Sequence, residues 1–233
     1  MTLADEIKAK ASGIFAERWT TRKGTVVPAP ADLKHSNDAV EFERATVLYA
    51  DLDGSTAMVD KETWTRSAEI YKAYLYAASR LIRNNSGDIV SYDGDRVMGV
   101  FIGDSQTSNA GYCALQINYA VKFILQPQME KQYGTGVTIR HVVGIDTSTI
   151  RAARTGVRGD NDIVWVGPAA NYAAKLTTLP ADYPTWITGR AYDKLRDDRK
   201  YGGNPRRAMW EERAWTAMNN MRIFRSNWWW SVD

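Results

Sequence analysis

A chain of 233 residues, 44% of them hydrophobic, is long enough to bury a sizeable core as one large domain or one domain with an extension. Its 30 basic and 27 acidic side chains leave a net charge of +3, too small to argue for a nucleic-acid or membrane-surface partner. The single cysteine, Cys113, excludes an intramolecular disulfide and a cysteine-rich zinc site. No apolar run is long enough to cross a bilayer and no secretory apolar region opens the chain, so a cytoplasmic protein is expected.

Leu3, Ile7, Ile14, Phe15 and Trp19 recur at roughly helical spacing and predict an amphipathic helix that packs on something. Residues 20–41 hold Gly24, Pro28 and Pro30 among polar residues and read as a linker, which places residues 1–42 outside a main domain of residues 43–233. The pattern then changes. Ala45 to Asp51 is a strand, with Val47, Tyr49 and Asp51 on one face and Leu48, Ala50 and Leu52 on the other. Gly54-Ser55-Thr56 ends it and introduces a helix, and Ile70, Tyr74, Leu75, Ala78, Leu81 and Ile82 mark a second helix to about Asn84. In "GDIVSYDGDRVMGVFIGD" two apolar runs flank Asp93-Gly94, a hairpin signal. A long helix carries Ala110, Ala114, Ile117, Val121, Ile124 and Leu125 on its apolar face, and Cys113 in that pattern reads as core. Val137–Ile145 and Ile163–Val166 read as strands. Pro168 opens a short helix, Thr185–Thr188 is a strand, and residues 208–230 form a terminal hairpin. This order predicts an α+β domain of ferredoxin-like kind, with an antiparallel or mixed sheet flanked by helices.

Two aspartates stand out. Asp51 ends the first strand and Asp95 follows the Asp93-Gly94 turn; if that strand lies beside the hairpin, both carboxylates reach one end of the sheet. Each alone reads as a turn residue or a helix cap. Together they form a like-charge pair that is costly to bury without a cation, and with an adjacent main-chain carbonyl they suit Mg²⁺ or Mn²⁺. Gly54, Ser55 and Thr56 add outward-pointing amides at a helix start, where a phosphate can approach. A metal–polyphosphate site is the expected combination.

These residues resemble the class III nucleotidyl cyclases. "YADLDGST" is similar to that family's "FADIVGFT", "DGDRVMGVFIG" to "GDGVMAVFG", and "VWVGPAANYAAKLTTLP" to "DYTVIGDTVNLAARLE". The three matches are in order and span residues 44 to about 225. The resemblance implies that Asp51 and Asp95, with the Leu52 carbonyl, hold two metal ions. It also implies that Asn171 orients the ribose and that Lys175 stands where the family has its transition-state arginine. The family's phosphate-binding arginine aligns with Val142, and Arg140, two residues earlier on the same face, is the candidate replacement. The implied reaction is attack of a ribose 3′-hydroxyl on the α-phosphorus with loss of pyrophosphate, in composite sites of a homodimer.

The base-reading positions depart from the purine pattern, with Ser91 where lysine is frequent and Val164 where aspartate is frequent. Tyr49, on the face of Asp51, could place a ring near the base; it reads equally as a core aromatic. Such a chain resembles the pyrimidine cyclases of bacterial Pycsar anti-phage defence, which make cyclic UMP or cyclic CMP from UTP or CTP for a separately encoded effector. An adenylate or guanylate cyclase with unusual base contacts, and a catalytically silent nucleotide-binding module, are the alternatives. Arg151, Arg154 and Arg158 read as a solvated loop, and the "NWWW" tail as a strand placing tryptophans in a core or dimer interface.

Overall fold

The computed structural model describes residues 1–157 and 159–232. The chain begins with α1 (Leu3–Ala16) and β1 (Thr20–Lys23), followed by the long β2 (Asp38–Leu52), α2 (Ser55–Lys61) and α3 (Trp64–Asn84). The hairpin β3 (Gly87–Asp93) and β4 (Arg96–Phe101) leads into α4 (Gln106–Tyr119), which continues through a π-helical stretch, Ala120–Leu125, into α5 (Gln126–Tyr133). Then come β5 (His141–Val157), β6 (Asp160–Val166), α6 (Pro168–Leu176), β7 (Thr185–Thr188) and α7 (Gly189–Tyr192). A short helix α8 (Asp197–Lys200), the small pair β8 (Tyr201–Gly202) and β9 (Arg207–Ala208), and the hairpin β10 (Glu211–Trp215) and β11 (Met221–Ser226) complete the order.

Among the described residues nine strands form one mixed sheet, β10-β11-β7-β5-β2-β4-β3, with β1 added to β2 and β6 added to β5. β5 and β7 run parallel, as do β1 and β2. Leu48, Ala50, Val97, Phe101, Val143 and Ile145 pack beneath α3 and α4 on one face. Val47, Met98 and Val100 meet Ala169, Ala170 and Ala173 of α6 on the other. This is the expected α+β architecture, and Cys113 lies in the first core, where burial pushes its thiol up. Among the described residues no helix is long and apolar enough to cross a membrane.

The alanines of α6 let it approach β5 closely. A Cβ on Gly144 would lie 2.1 Å from the Ala173 carbonyl oxygen, which is backbone and cannot swing aside. Gly144→Ala should therefore cost about 2 kcal/mol or more by overpacking, read as a lowered melting temperature. An unchanged melt would mean that α6 is not held against the sheet as described.

Several elements differ from the sequence reading. The expected linker contributes β1 and the first residues of β2, because β1 pairs in parallel from Thr20↔Asp38 onward. α1 forms as predicted, yet its apolar side chains Leu3, Ile7 and Phe15 are exposed rather than packed. β5 starts at His141, not Val137, and runs on through Arg151 and Arg154, so these arginines lie on a strand rather than a loop. Arg151 pairs with Glu41, and Arg154 donates to Asn161 Oδ1 at 3.0 Å and to the Leu33 carbonyl at 3.2 Å; Arg158 lies outside the described residues. The terminal hairpin stops at Ser226. The tail beyond it is held on α4, where Asn118 Nδ2 donates to the Trp228 carbonyl at 2.8 Å and the Trp230 amide donates to Leu115 O at 3.2 Å. Trp228 and Trp230 pack on the core, while Trp229 remains 41% exposed.

Candidate active site

The pleat of β2 turns Tyr49 and Asp51 to the face that carries α6. Asp51 lies opposite Arg96 on β4 and Val142 on β5. Between Asp93 and Arg96 the chain reverses in two residues, Gly94 with φ +61° and then Asp95. A positive φ at the first turn position only is the turn that glycine serves there. Asp95 is thus inside the turn rather than after it, one residue from the cross-strand partner of Asp51. The two predicted carboxylates do converge.

Their electrostatics are those of a crowded anionic pair. Burial first, and the neighbouring charge of Asp95 second, push the Asp51 carboxyl up to about 6, against the opposing pull of Arg96 and Thr177. Thr177 Oγ1, just beyond α6, lies 3.3 Å from Asp51 Oδ2. From the opposite side of the sheet the buried Tyr74 hydroxyl donates to the Asp51 main-chain carbonyl at 3.3 Å. Asp95 Oδ2 is buried and has no hydrogen-bond partner among the described residues.

An orphaned buried carboxylate oxygen beside a carboxyl that resists ionisation fits a hard divalent cation. No cluster of three or more His, Cys, Asp or Glu side chains that could hold a metal forms among the described residues. Two carboxylates are nonetheless a donor set that Mg²⁺, which usually keeps several waters and substrate phosphates, can use. The Leu52 side chain is buried under the helices, so only its carbonyl can join them.

The other candidates fall into three groups, with Val164 apart from them. Gly54, with φ +73°, is itself the N-cap of α2 with no side-chain cap bond, and Ser55 and Thr56 form the first turn. Arg140 is beside them: its Nε donates to Asp53 Oδ2 at 2.9 Å, and Nη2 lies 3.4 Å from Asp182 Oδ1. Asn171 and Lys175, four residues apart on α6, are both exposed and make no side-chain hydrogen bond among the described residues. Ser91 lies opposite Met98, which lies opposite Tyr49, so these three share one line across the sheet. Val164 does not join that line. It pairs with Ala153, level with Ala39 on β2, and its side chain points outward, 42% exposed. The alternation of β6 buries Trp165 and turns Val164 and Val166 out.

Sequence reading passed over Arg96. Its guanidinium carbon lies 5.1 Å from the centre of the Tyr49 ring, and Nη2 donates to Asp93 Oδ2 at 2.7 Å. Ring and guanidinium together cover the face between Asp51 and Ser91. The signal was a lone arginine immediately after Asp95 in an otherwise apolar strand, where a charge needs a reason.

No family model matches the chain. It is 50% identical over 233 residues to the uridylate cyclase of Burkholderia cepacia and 45% over 235 residues to that of Xanthomonas perforans, each match covering 100% of both chains. The uridylate cyclase of a Rhodovulum species is 38% identical over 98% of both chains. Among solved structures, the catalytic core of a rhodopsin-guanylyl cyclase with converted specificity superposes with a TM-score of 0.65 at 16% identity, covering 81% of this chain and 97% of that one. The adenylyl cyclase CyaB from P. aeruginosa gives 0.64 at 19% identity, covering 84% and 96%. With its carboxylate pair at the sheet end and full-length identity of this order, the chain belongs to the uridylate cyclase family, built on the class III nucleotidyl cyclase fold.

Proposed function

We propose that the protein converts UTP to 3′,5′-cyclic UMP and pyrophosphate, in two composite sites of a cytoplasmic homodimer. The observation that carries this reading is the convergence of Asp51 and Asp95 beside the Tyr49–Arg96 pair. The relatives named uridylate cyclase support the choice of base.

Asp51, Asp95 and the Leu52 carbonyl hold Mg²⁺ or Mn²⁺, two ions per site. When bound, such ions make a ribose hydroxyl more acidic and neutralise triphosphate charge. The chain's own groups do the rest. The first-turn amides of α2 at Ser55 and Thr56 receive phosphate oxygens, which Gly54 lets approach, and Arg140 at the same sheet end adds positive charge. Asn171 and Lys175 of the partner subunit orient the ribose and balance charge developing on the phosphates. An ammonium at 175 acts there as a point charge rather than a bidentate fork. Tyr49 and Arg96 narrow the base subsite to pyrimidine size. Val164, level with Ala39 and turned outward, is not assigned to the base within its own subunit. Cyclic UMP then switches on a separately encoded effector in anti-phage defence, in keeping with the Pycsar resemblance.

The test is initial rates for UTP, CTP, ATP and GTP at equal concentration with Mn²⁺. UTP should lead, with CTP second and both purines at least about tenfold lower, a difference of roughly 1.4 kcal/mol in transition-state binding. Tyr49→Ala should lower UTP turnover more than it lowers the melting temperature. ATP or GTP leading would overturn the pyrimidine assignment, and no product from any of the four would favour the silent nucleotide-binding reading.

A further inference from the structure

A cavity of about 410 Å³ opens beside the middle of β2, where Arg44, Arg190, Lys194 and Arg196 converge on the start of α4. Thr46, joined there to Thr107 by a 2.9 Å hydroxyl contact, is five residues from Asp51, roughly 17 Å along the strand. The place is therefore separate from the carboxylate pair. α4 is 14 residues long, and its N-cap Ser105 makes no side-chain cap bond, so its first amides are free to meet an anion.

The second observation is Gln106. It is only 7% exposed, lines this cavity, and its amide has no hydrogen-bond partner among the described residues. That amide is not among the polar atoms sealed off from solvent, so it is reached from the cavity and open to a ligand. A further hollow of about 590 Å³ adjoins the first and shares Arg44, Asp104 and Gln106 with it.

The charges differ in their commitments. Arg190 is bound to the fully buried Asp146, its Nε donating to Oδ1 at 2.8 Å, and Arg196 leans on Asp198 at 3.3 Å. Arg44 and Lys194 form no ion pair among the described residues. One carboxylate, Asp104, stands against them at the rim. Two uncommitted cations and the positive end of a helix outweigh it.

We infer that this cavity is a second ligand site, taking a small phosphorylated metabolite of about mononucleotide size. The phosphate sits between the α4 start, Arg44 and Lys194, and the organic part passes Gln106 into the adjoining hollow. A bare phosphate would leave most of the volume unfilled, whereas such a ligand matches the size of small-molecule pockets.

The experiment uses the full chain carrying Asp51→Asn, with EDTA present, so that metal-dependent binding at the carboxylate pair is silent. UMP, inorganic phosphate and uridine are titrated by calorimetry and by thermal shift. UMP should bind one per subunit, phosphate more weakly, and uridine not at all. Arg44→Ala and Lys194→Ala, both on exposed side chains, should each weaken UMP at least about tenfold without moving the unliganded melt, the loss expected for one charge-assisted hydrogen bond. Gln106→Leu should weaken UMP more than phosphate. The inference is overturned if UMP fails to bind at millimolar concentration, or if its affinity is unchanged in both cation variants. Neither result bears on the cyclase reading, because nothing in the assay depends on turnover.

Discussion

Asp51→Asn should abolish product formation while making the metal-free protein more stable at neutral pH. The loss of turnover follows from losing one of only two carboxylates at the site, and a fall of at least about a thousandfold is expected. The gain in stability follows from the sign of the Asp51 shift. Its carboxyl sits at about 6 in the fold against 3.8 ordinarily, so folding disfavours the ionised form. That cost is absent below about pH 4, grows between pH 4 and 6, and is complete above. Asparagine removes it. Because the group is only partly buried, solvent screening reduces the gain to about 1–2 kcal/mol, or a few degrees in the melt. In EDTA the variant should melt above wild type at pH 7.5 and level with it at pH 4, and Mn²⁺ should close the gap by stabilising wild type alone. Asp95→Ala should be equally inactive. Either variant turning over substrate would refute the metal assignment. An Asn variant less stable than wild type at pH 7.5 would refute the account of Asp51 as a strained anion.

Mixing two dead proteins should restore activity. Asp51→Ala removes the carboxylate half of a site, and Asn171→Ala removes a residue that is exposed on α6 and free to serve a second copy of the chain. After subunit exchange about half the dimers are mixed, and each holds one intact site of two, so roughly a quarter of wild-type turnover should return. The same mixture made with Asp51→Ala and Asp95→Ala, both on the carboxylate side, should stay dead. Recovery in that control would put Asp51 and Asp95 on different subunits and refute their pairing. No recovery in the first mixture would place Asn171 on the same subunit's site and remove the composite arrangement. An active species that sediments as a monomer would do the same.

What could be read in advance was what period and turn chemistry control. The two-residue alternation of β2 put Tyr49 and Asp51 on one face. The Gly94 turn put Asp95 at the neighbouring strand end, and the helical period put Asn171 and Lys175 on one side of α6. What escaped depended on tertiary pairing. β1 and the continuation of β5 through Arg151 and Arg154 are polar stretches with little strand propensity, made into strands by the ladders they join. Arg96 and Thr177 are brought to Asp51 by cross-strand register and by the end of α6, neither of which has a local signature. The level of Val164 on the sheet was not legible either. Its neighbours were read correctly as strand, but register alone decides which residue on β2 it stands level with.

The Gly94–Asp95 reversal ties the chemistry to chain length more tightly than to residue identity along the hairpin. Asp95 occupies one of the two positions that join β3 to β4, so its place is dictated by where the strands begin and end. A β-bulge between Ile89 and Ser91 already absorbs one extra residue on the β3 side, leaving the turn itself at its shortest form. Lengthening that connection by a single residue would move the aspartate relative to Asp51 without touching a core side chain, and the sheet would still form. On the proposed reading of Asp95, the hairpin is thus a place where a single insertion between Asp93 and Arg96 would separate folding from turnover.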